Sequence, residues 1–250
     1  FSVNDIDKLK SDYLEVINKL RNEASQERKH ITCPLKIKDS LIKIWINKNL
    51  IGLIKNMSSE LVFARNYPVM TFSSNWEEQL STKYKFENNF NNTKYNDDWH
   101  VDHANLFNIH VLLEDLSEND LCMEYLAGSH KLLNSTNVYS DEEIVSMKNL
   151  HIKKCYGKKG TIYIHYGNTL HRMRAVKKSK RIQLHFEFTS KTNILLNSEN
   201  LSYCLSDNYD LKKLDSEERK ILSGIFPIAL HKGYSINKKG ELKKTNDKII

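Results

Sequence analysis

The chain has 250 residues, of which 40% are hydrophobic and 28% charged, with only 3 Pro and 8 Gly. That balance fits a folded globular protein and excludes collagen-like and low-complexity chains. The formal net charge of +7 raises nucleic acid as a partner, but the lysines are spread along the chain without the interleaved aromatics of a stacking platform. A solvated basic surface ranks first, an anionic small substrate second and nucleic acid third.

The opening residues, FSVNDIDKLKSD, are polar and carry no secretory-leader pattern. No run of about eighteen apolar residues occurs, so no membrane span is expected. Cys33, Cys122, Cys155 and Cys204 have wide, irregular spacing, which reads as free thiols in a reducing compartment, and a cytoplasmic location is expected. Ile6, Leu9, Tyr13, Val16, Ile17 and Leu20 recur at helical spacing and predict one amphipathic helix over 4–20. Residues 39–57, DSLIKIWINKNLIGLIKNM, predict a second, capped by Asp39 or Ser40.

From about residue 61 the texture changes to short β-branched and aromatic runs: LVFARNYPVMTF, LFNIHVLLED, CMEYLA, HIKKCY, TIYIHYG and RIQLHFEFT. Turn-like segments (SEND, AGSH, YGKKG) separate them. After about 190 the sequence is again charged and helix-compatible, notably SEERKILSGIF at 216–226. The expectation is one domain over 1–250, mainly β with flanking α-helices. It divides into a helical part at about 1–58, a β core at about 60–190 and a helical tail at about 191–250, a sandwich or barrel buttressed by helices.

Three segments carry chemistry. In WHVDH (99–103) an extended strand puts His100 and Asp102 on one face, with Val101 and His103 on the other. An imidazole beside a carboxylate suits a divalent metal. Taken alone, the pattern suits a structural Asp–His hydrogen bond as well. In GTIYIHYGNTLHRMRAV (160–176), His171 follows a Gly167–Asn168 turn, either at a barrel mouth or simply on the surface. In RIQLHFEF (181–188), Arg181, Gln183, His185 and Glu187 share a polar face, which lines a cavity or faces solvent. Arg181 lies where a hairpin after His171 could return it to the same cavity, as a fork for a carboxylate. Two histidines and one carboxylate on one face of an iron leave open positions, the arrangement of non-haem iron oxygenases.

The run LFNIHVLLEDLSENDLCMEYLAGSHK (106–131), between HVD and GTIYIHYGNTLHR, resembles the phytanoyl-CoA dioxygenase family of iron(II)/2-oxoglutarate oxygenases. The resembling pieces are Glu114–Asp115, the polar turn Ser117–Asp120 and Gly128–Ser129–His130, and the likeness runs from about 97 to 188. It implies a double-stranded β-helix (a cupin-like jelly roll), with Fe(II), 2-oxoglutarate and O2 as cofactor and cosubstrates. It implies His100, Asp102 and His171 as iron ligands, Arg181 as partner of the 2-oxoglutarate distal carboxylate, and Asn108 and His110 as cosubstrate contacts. Family members commonly have Pro where this chain has Ala127. Relatives that halogenate replace the carboxylate ligand by a small residue, so Asp102 favours hydroxylation or a related oxidation.

His165 and His185 are read as pocket-lining or packing residues, His103 as supporting and His130 as stabilising a loop. Arg172 and Arg174 lean the small-molecule substrate toward an anion. Segments 73–98, 132–150 and the tail after 190 are the places for specificity, the first as a candidate lid. The competing reading is a cupin-like metalloprotein or sugar-binding jelly roll that does not use 2-oxoglutarate, for which Arg181 would have no purpose.

Overall fold

The computed structural model describes residues 1–24, 30–58, 62–64, 68–74, 99–102, 106–132, 138–147, 150–174, 179–189, 211–222, 234–236 and 242–244. His103, Cys204, nearly all of the candidate lid and much of the tail lie outside them.

The first expected helix is two, α1 (Val3–Asp12) and α2 (Leu14–Ala24). They part at Tyr13, which leaves helical geometry at φ −119°, ψ 25°. Its hydroxyl donates to the Lys36 carbonyl, a tertiary bond at the helix break. The apolar stripe continues across the break, and Ile6, Leu9, Tyr13, Ile17 and Leu20 are all buried. The second expected helix also divides, after the strand β1 (His30–Pro34), into α3 (Asp39–Trp45) and α4 (Lys48–Ser58). Asn47 sits at the division because its side-chain oxygen accepts from the N–H groups of Asn49 and Leu50 and so starts α4. Lys38 holds the cap position of α3 without a side-chain bond, so Asp39 and Ser40 lie inside the first turn rather than at its cap.

Short strands follow: β2 (Phe63–Ala64), β3 (Val69–Ser74), β4 (Trp99–His100), β5 (Leu106–Leu112), β6 (Cys122–Ala127) and β7 (Val138–Tyr139). After the short helix α5 (Asp141–Ser146) come β8 (His151–Cys155), β9 (Ile162–Tyr166), β10 (His171–Arg174) and β11 (Lys180–Thr189). Among its described residues the tail holds a 3-10 turn (Leu211–Lys213), the helix α6 (Ser216–Leu222) and an antiparallel pair, β12 (Tyr234–Ile236) with β13 (Leu242–Lys244), where only helix was expected.

The strands form two antiparallel sheets, β1-β3-β11-β5-β9 with β2 added to β11, and β7-β4-β10-β6-β8. Among the described residues no helix is long and apolar enough to cross a membrane. Register gives the larger sheet two unlike faces. Cross-strand rows Leu184–Val111–Ile162, Phe186–Ile109–Ile164 and Phe188–Phe107–Tyr166 point outward. There they join the apolar stripes of the N-terminal helices in the main core. The alternate rows, His185–His110–Tyr163 and Glu187–Asn108–His165, point toward the smaller sheet, as do Arg181 and Gln183. Because side chains alternate with period two, a one-residue slip of β11 would exchange the two faces, and the burial of four large apolar residues outside fixes the polar set inside.

Candidate active site

His100 ends β4 and His171 begins β10, and the two are paired across the smaller sheet. Their rings lie 4.3 Å apart between centroids. Asp102 follows β4, with its N–H donating to the Gly167 carbonyl at 2.7 Å, so the β9–β10 turn sets its position. One ligand atom from each of His100, Asp102 and His171 lies within 4.8 Å of the other two. His171 Nε2 is 3.4 Å from Asp102 Oδ2. His171 Nδ1 donates to the Thr169 carbonyl at 2.8 Å, which leaves the Nε2 lone pair directed at the cluster. Two imidazoles and one carboxylate on one face suit a first-row divalent metal.

Asp102 is held further by Asn108, whose amide donates to Oδ2 at 2.6 Å. The Asn108 oxygen faces His185 Nε2 at 3.4 Å. Burial raises the Asp102 carboxyl, but the facing imidazoles, His171 foremost, outweigh burial as they take up protons at low pH and hold it below the usual carboxylate range. The carboxylate is therefore ready to bind a cation at neutral pH.

Behind this cluster lies a stack of further imidazoles. His110 is stacked on His185 at 4.6 Å and on Tyr163 at 5.0 Å. The partners assign the protons. His165 Nδ1 faces the Tyr166 carbonyl at 3.0 Å and must donate, so its Nε2 accepts. His110 Nε2, 3.3 Å away, is then the donor, and its Nδ1 accepts from the Gln183 amide at 3.1 Å. The Gln183 oxygen takes the Tyr163 hydroxyl proton at 2.8 Å. One-directional donation runs from Tyr163 through Gln183 and His110 to His165. Burial keeps these rings neutral: it pushes His165 down to about 3, His185 to about 4, and His110 well below its ordinary value.

Arg181 is 4% exposed, on the same inner face. Its Nε and Nη1 have no hydrogen-bond partner among the described residues, while Nη2 meets the Met173 thioether sulfur at 2.5 Å. A buried guanidinium with two free N–H positions is costly without an anion. That is the fork a keto-diacid's far carboxylate needs, so the residues present fit both a metal and 2-oxoglutarate.

The structure thus brings His100, Asp102, His171, Asn108, His110 and Arg181 together on the facing surfaces of the two sheets. It corrects the reading of Arg172 and Arg174. Arg172 points to the opposite face of the smaller sheet, bound to Glu124 at 2.9 Å and Asp141 at 2.7 Å. Arg174 lies 3.5 Å from Asp141. Neither faces the cluster, and the argument for an anionic substrate falls with them. Ser129 shares the loop-stabilising work expected of His130 in the Gly-Ser-His turn: its hydroxyl accepts the buried Leu170 N–H at 2.9 Å, one residue before His171. The His130 carbonyl accepts from Asn168, and its ring stacks on Tyr166. Tyr163, Gln183 and Ser129 were missed as site residues. The alternation in TIYIHY and RIQLHF placed the first two on polar faces, whereas Ser129 stood in the Gly-Ser-His motif without a periodicity to show its direction.

The sequence matches no protein-family profile, and no curated protein is similar to it. Solved structures are similar in fold. EctD from S. alaskensis with 2-oxoglutarate and 5-hydroxyectoine is 14% identical with a TM-score of 0.51, over 77% of this chain and 70% of that one. HygX from Streptomyces hygroscopicus with nickel and 2-oxoglutarate bound is 10% identical with a TM-score of 0.50, over 76% and 80%. The class these comparisons define is the double-stranded β-helix, or jelly roll, and this chain has that fold.

Proposed function

We propose that the protein is an iron(II)- and 2-oxoglutarate-dependent oxygenase of the phytanoyl-CoA dioxygenase type, acting on an unactivated C–H bond of a small molecule. The observation that carries this reading is the buried, half-unpaired Arg181 guanidinium on the same interior face as the His100–Asp102–His171 cluster. A metalloprotein of the same fold that used no keto-diacid would gain nothing from that charge. The ligands named in the HygX and EctD structures, nickel and 2-oxoglutarate among them, support the same assignment.

His100, Asp102 and His171 would hold the metal, and Arg181 the distal carboxylate of 2-oxoglutarate. Together the bound iron and keto acid supply dioxygen activation, with succinate and CO2 as co-products. The chain's own task is placement and exclusion. Asn108 fixes the Asp102 carboxylate by taking one lone pair of Oδ2. The neutral His110, His165 and His185 line the interior without adding positive charge beside the metal. His110 and Asn108 are assigned as cosubstrate neighbours, His110 with its Nδ1 already engaged by Gln183. The intact Asp102 favours hydroxylation as the outcome.

Thermal melting with Mn(II) in place of iron tests the reading. Adding 2-oxoglutarate should raise the melting temperature only when the metal is present, because a ligand bound by the native state alone stabilises it by mass action. No rise at saturating metal would reject 2-oxoglutarate as cosubstrate.

A further inference from the structure

On the reverse side of the metal-ligand strands lies a group that the proposed reaction does not use. Trp99 precedes His100 and Arg172 follows His171, and neighbouring residues on a strand point to opposite faces. The ligands therefore face the interior while Trp99 and Arg172 face outward. There the Arg172 guanidinium lies 4.4 Å over the Trp99 ring. Asp141 Oδ1 accepts from both, at 3.0 Å from Trp99 Nε1 and 2.7 Å from Arg172 Nη1. Arg172 Nε donates to Glu124 at 2.9 Å. Trp99 is fully buried, and Arg172 and Glu124 are 6% and 7% exposed. Beneath them Trp99, Val101, Leu126 and Leu170 form a small apolar core with Ile144 of α5.

Among the described residues β4 is Trp99–His100, which pairs with β10 at His100–His171 and with β7 at Trp99–Tyr139 and His100–Val138. We infer that Trp99, Arg172, Asp141 and Glu124 form a side-chain clamp that fixes β4 against β10 and so sets the separation of the metal ligands His100 and His171. All four are positioning residues, since none faces the metal cluster. The clamp also ties the start of α5 to the metal centre, because Asp141 is the first residue of that helix and the shared acceptor.

The inference rests on the proposed metal centre, and one titration separates the two. Mn(II) affinity of the purified full-length protein is read from the EPR signal of free Mn(II), beside the melting temperature of each metal-free variant. Asp141→Ala removes the shared acceptor. Arg172→Met with Glu124→Gln removes the cation without leaving Glu124 charged and buried alone, so the protein has no orphan charge to unfold it. Ile54→Val, a buried change on α4, supplies a loss of melting temperature remote from the site. The clamp predicts Mn(II) dissociation constants raised about 10–100-fold in the first two variants, as is typical of removing partners behind metal ligands. Asp141→Asn, which keeps the acceptor oxygen, should restore wild-type affinity, and Ile54→Val should retain it. Unchanged affinity in both clamp variants, or an equal loss in Ile54→Val, overturns the clamp while leaving the metal centre standing. Failure of the wild type to bind Mn(II) overturns the metal centre and the clamp with it.

Discussion

Replacing Arg181 by Met removes a guanidinium that is 4% exposed and has two N–H positions unpaired among the described residues. Met fills similar volume and needs no hydrogen bonds. Replacing buried ionic groups with apolar residues is often stabilising by about 1–4 kcal/mol, and here the cation lacks a full partner set, so the metal-free variant should melt higher than wild type. For a chain of this size that is a rise of roughly 2–16 °C. The effect on 2-oxoglutarate has the opposite sign. Truncating one partner of a buried charge pair costs about 2–5 kcal/mol of binding, or about 30- to 5000-fold in Kd. At a concentration of 100 times the wild-type Kd, 2-oxoglutarate stabilises the wild type by about 2.7 kcal/mol. A 100-fold weaker variant gains only about 0.4 kcal/mol under the same conditions. Thermal melts of both proteins with Mn(II), with and without 2-oxoglutarate, read the two effects in one plate. A variant that melts lower and still responds fully to 2-oxoglutarate would refute the assignment of Arg181 as an unsatisfied carboxylate fork.

Three further outcomes follow from the site. Asp102→Ala should weaken Mn(II) binding by more than the roughly 10–100-fold typical of losing a partner behind the ligands, measured by the same titration; wild-type affinity would remove Asp102 from the set. Burial holds His185 and His110 neutral, Arg181 and His171 oppose the protonation of both, and His185 is pushed down to about 4 although Asp102 favours its charged form. The unfolded chain takes up these protons below about pH 6.5, whereas the folded chain resists both and His185 does not protonate until about pH 4, so stability is full above 6.5 and falls as the pH drops, by up to about 2 kcal/mol at pH 5 for His185. Urea midpoints at pH 7 and 5 should show this, and His185→Gln should flatten the difference; an unchanged difference would argue against a neutral His185. Ser129→Ala leaves the buried Leu170 N–H without its 2.9 Å acceptor and should cost about 1–3 kcal/mol in urea unfolding. A neutral result would mean another acceptor replaces it.

Much of this architecture was legible in the residues. Strict alternation in RIQLHFEF separated Ile182, Leu184, Phe186 and Phe188 from Arg181, Gln183 and His185, and the structure buries the first set under the helices and turns the second inward. The short spacing of His100 and Asp102 predicted that they would sit together, a local property, although β4 ends at His100 and Asp102 follows it. Pairing with His171 depended on topology and was carried by the resemblance. The helix breaks at Tyr13 and Asn47 escaped because the apolar stripe runs on through both, and only a tertiary hydrogen bond and a cap mark them. Arg172 was misread because its charge was visible and its direction was not. It follows His171 on the strand, so alternation alone already turned it to the opposite face, where Glu124 and Asp141 meet it. The pair β12–β13 lay in charged sequence without alternation long enough to signal strands.

The measurement that bears most directly on the central claim is the visible absorption of the pure protein under anaerobic conditions, titrated with Fe(II) and then 2-oxoglutarate. The account predicts a charge-transfer band that needs both additions and disappears in His171→Ala and Arg181→Met. Iron bound without any such band on adding 2-oxoglutarate would make the His100–Asp102–His171 cluster a metal site of another kind and would contradict the oxygenase assignment.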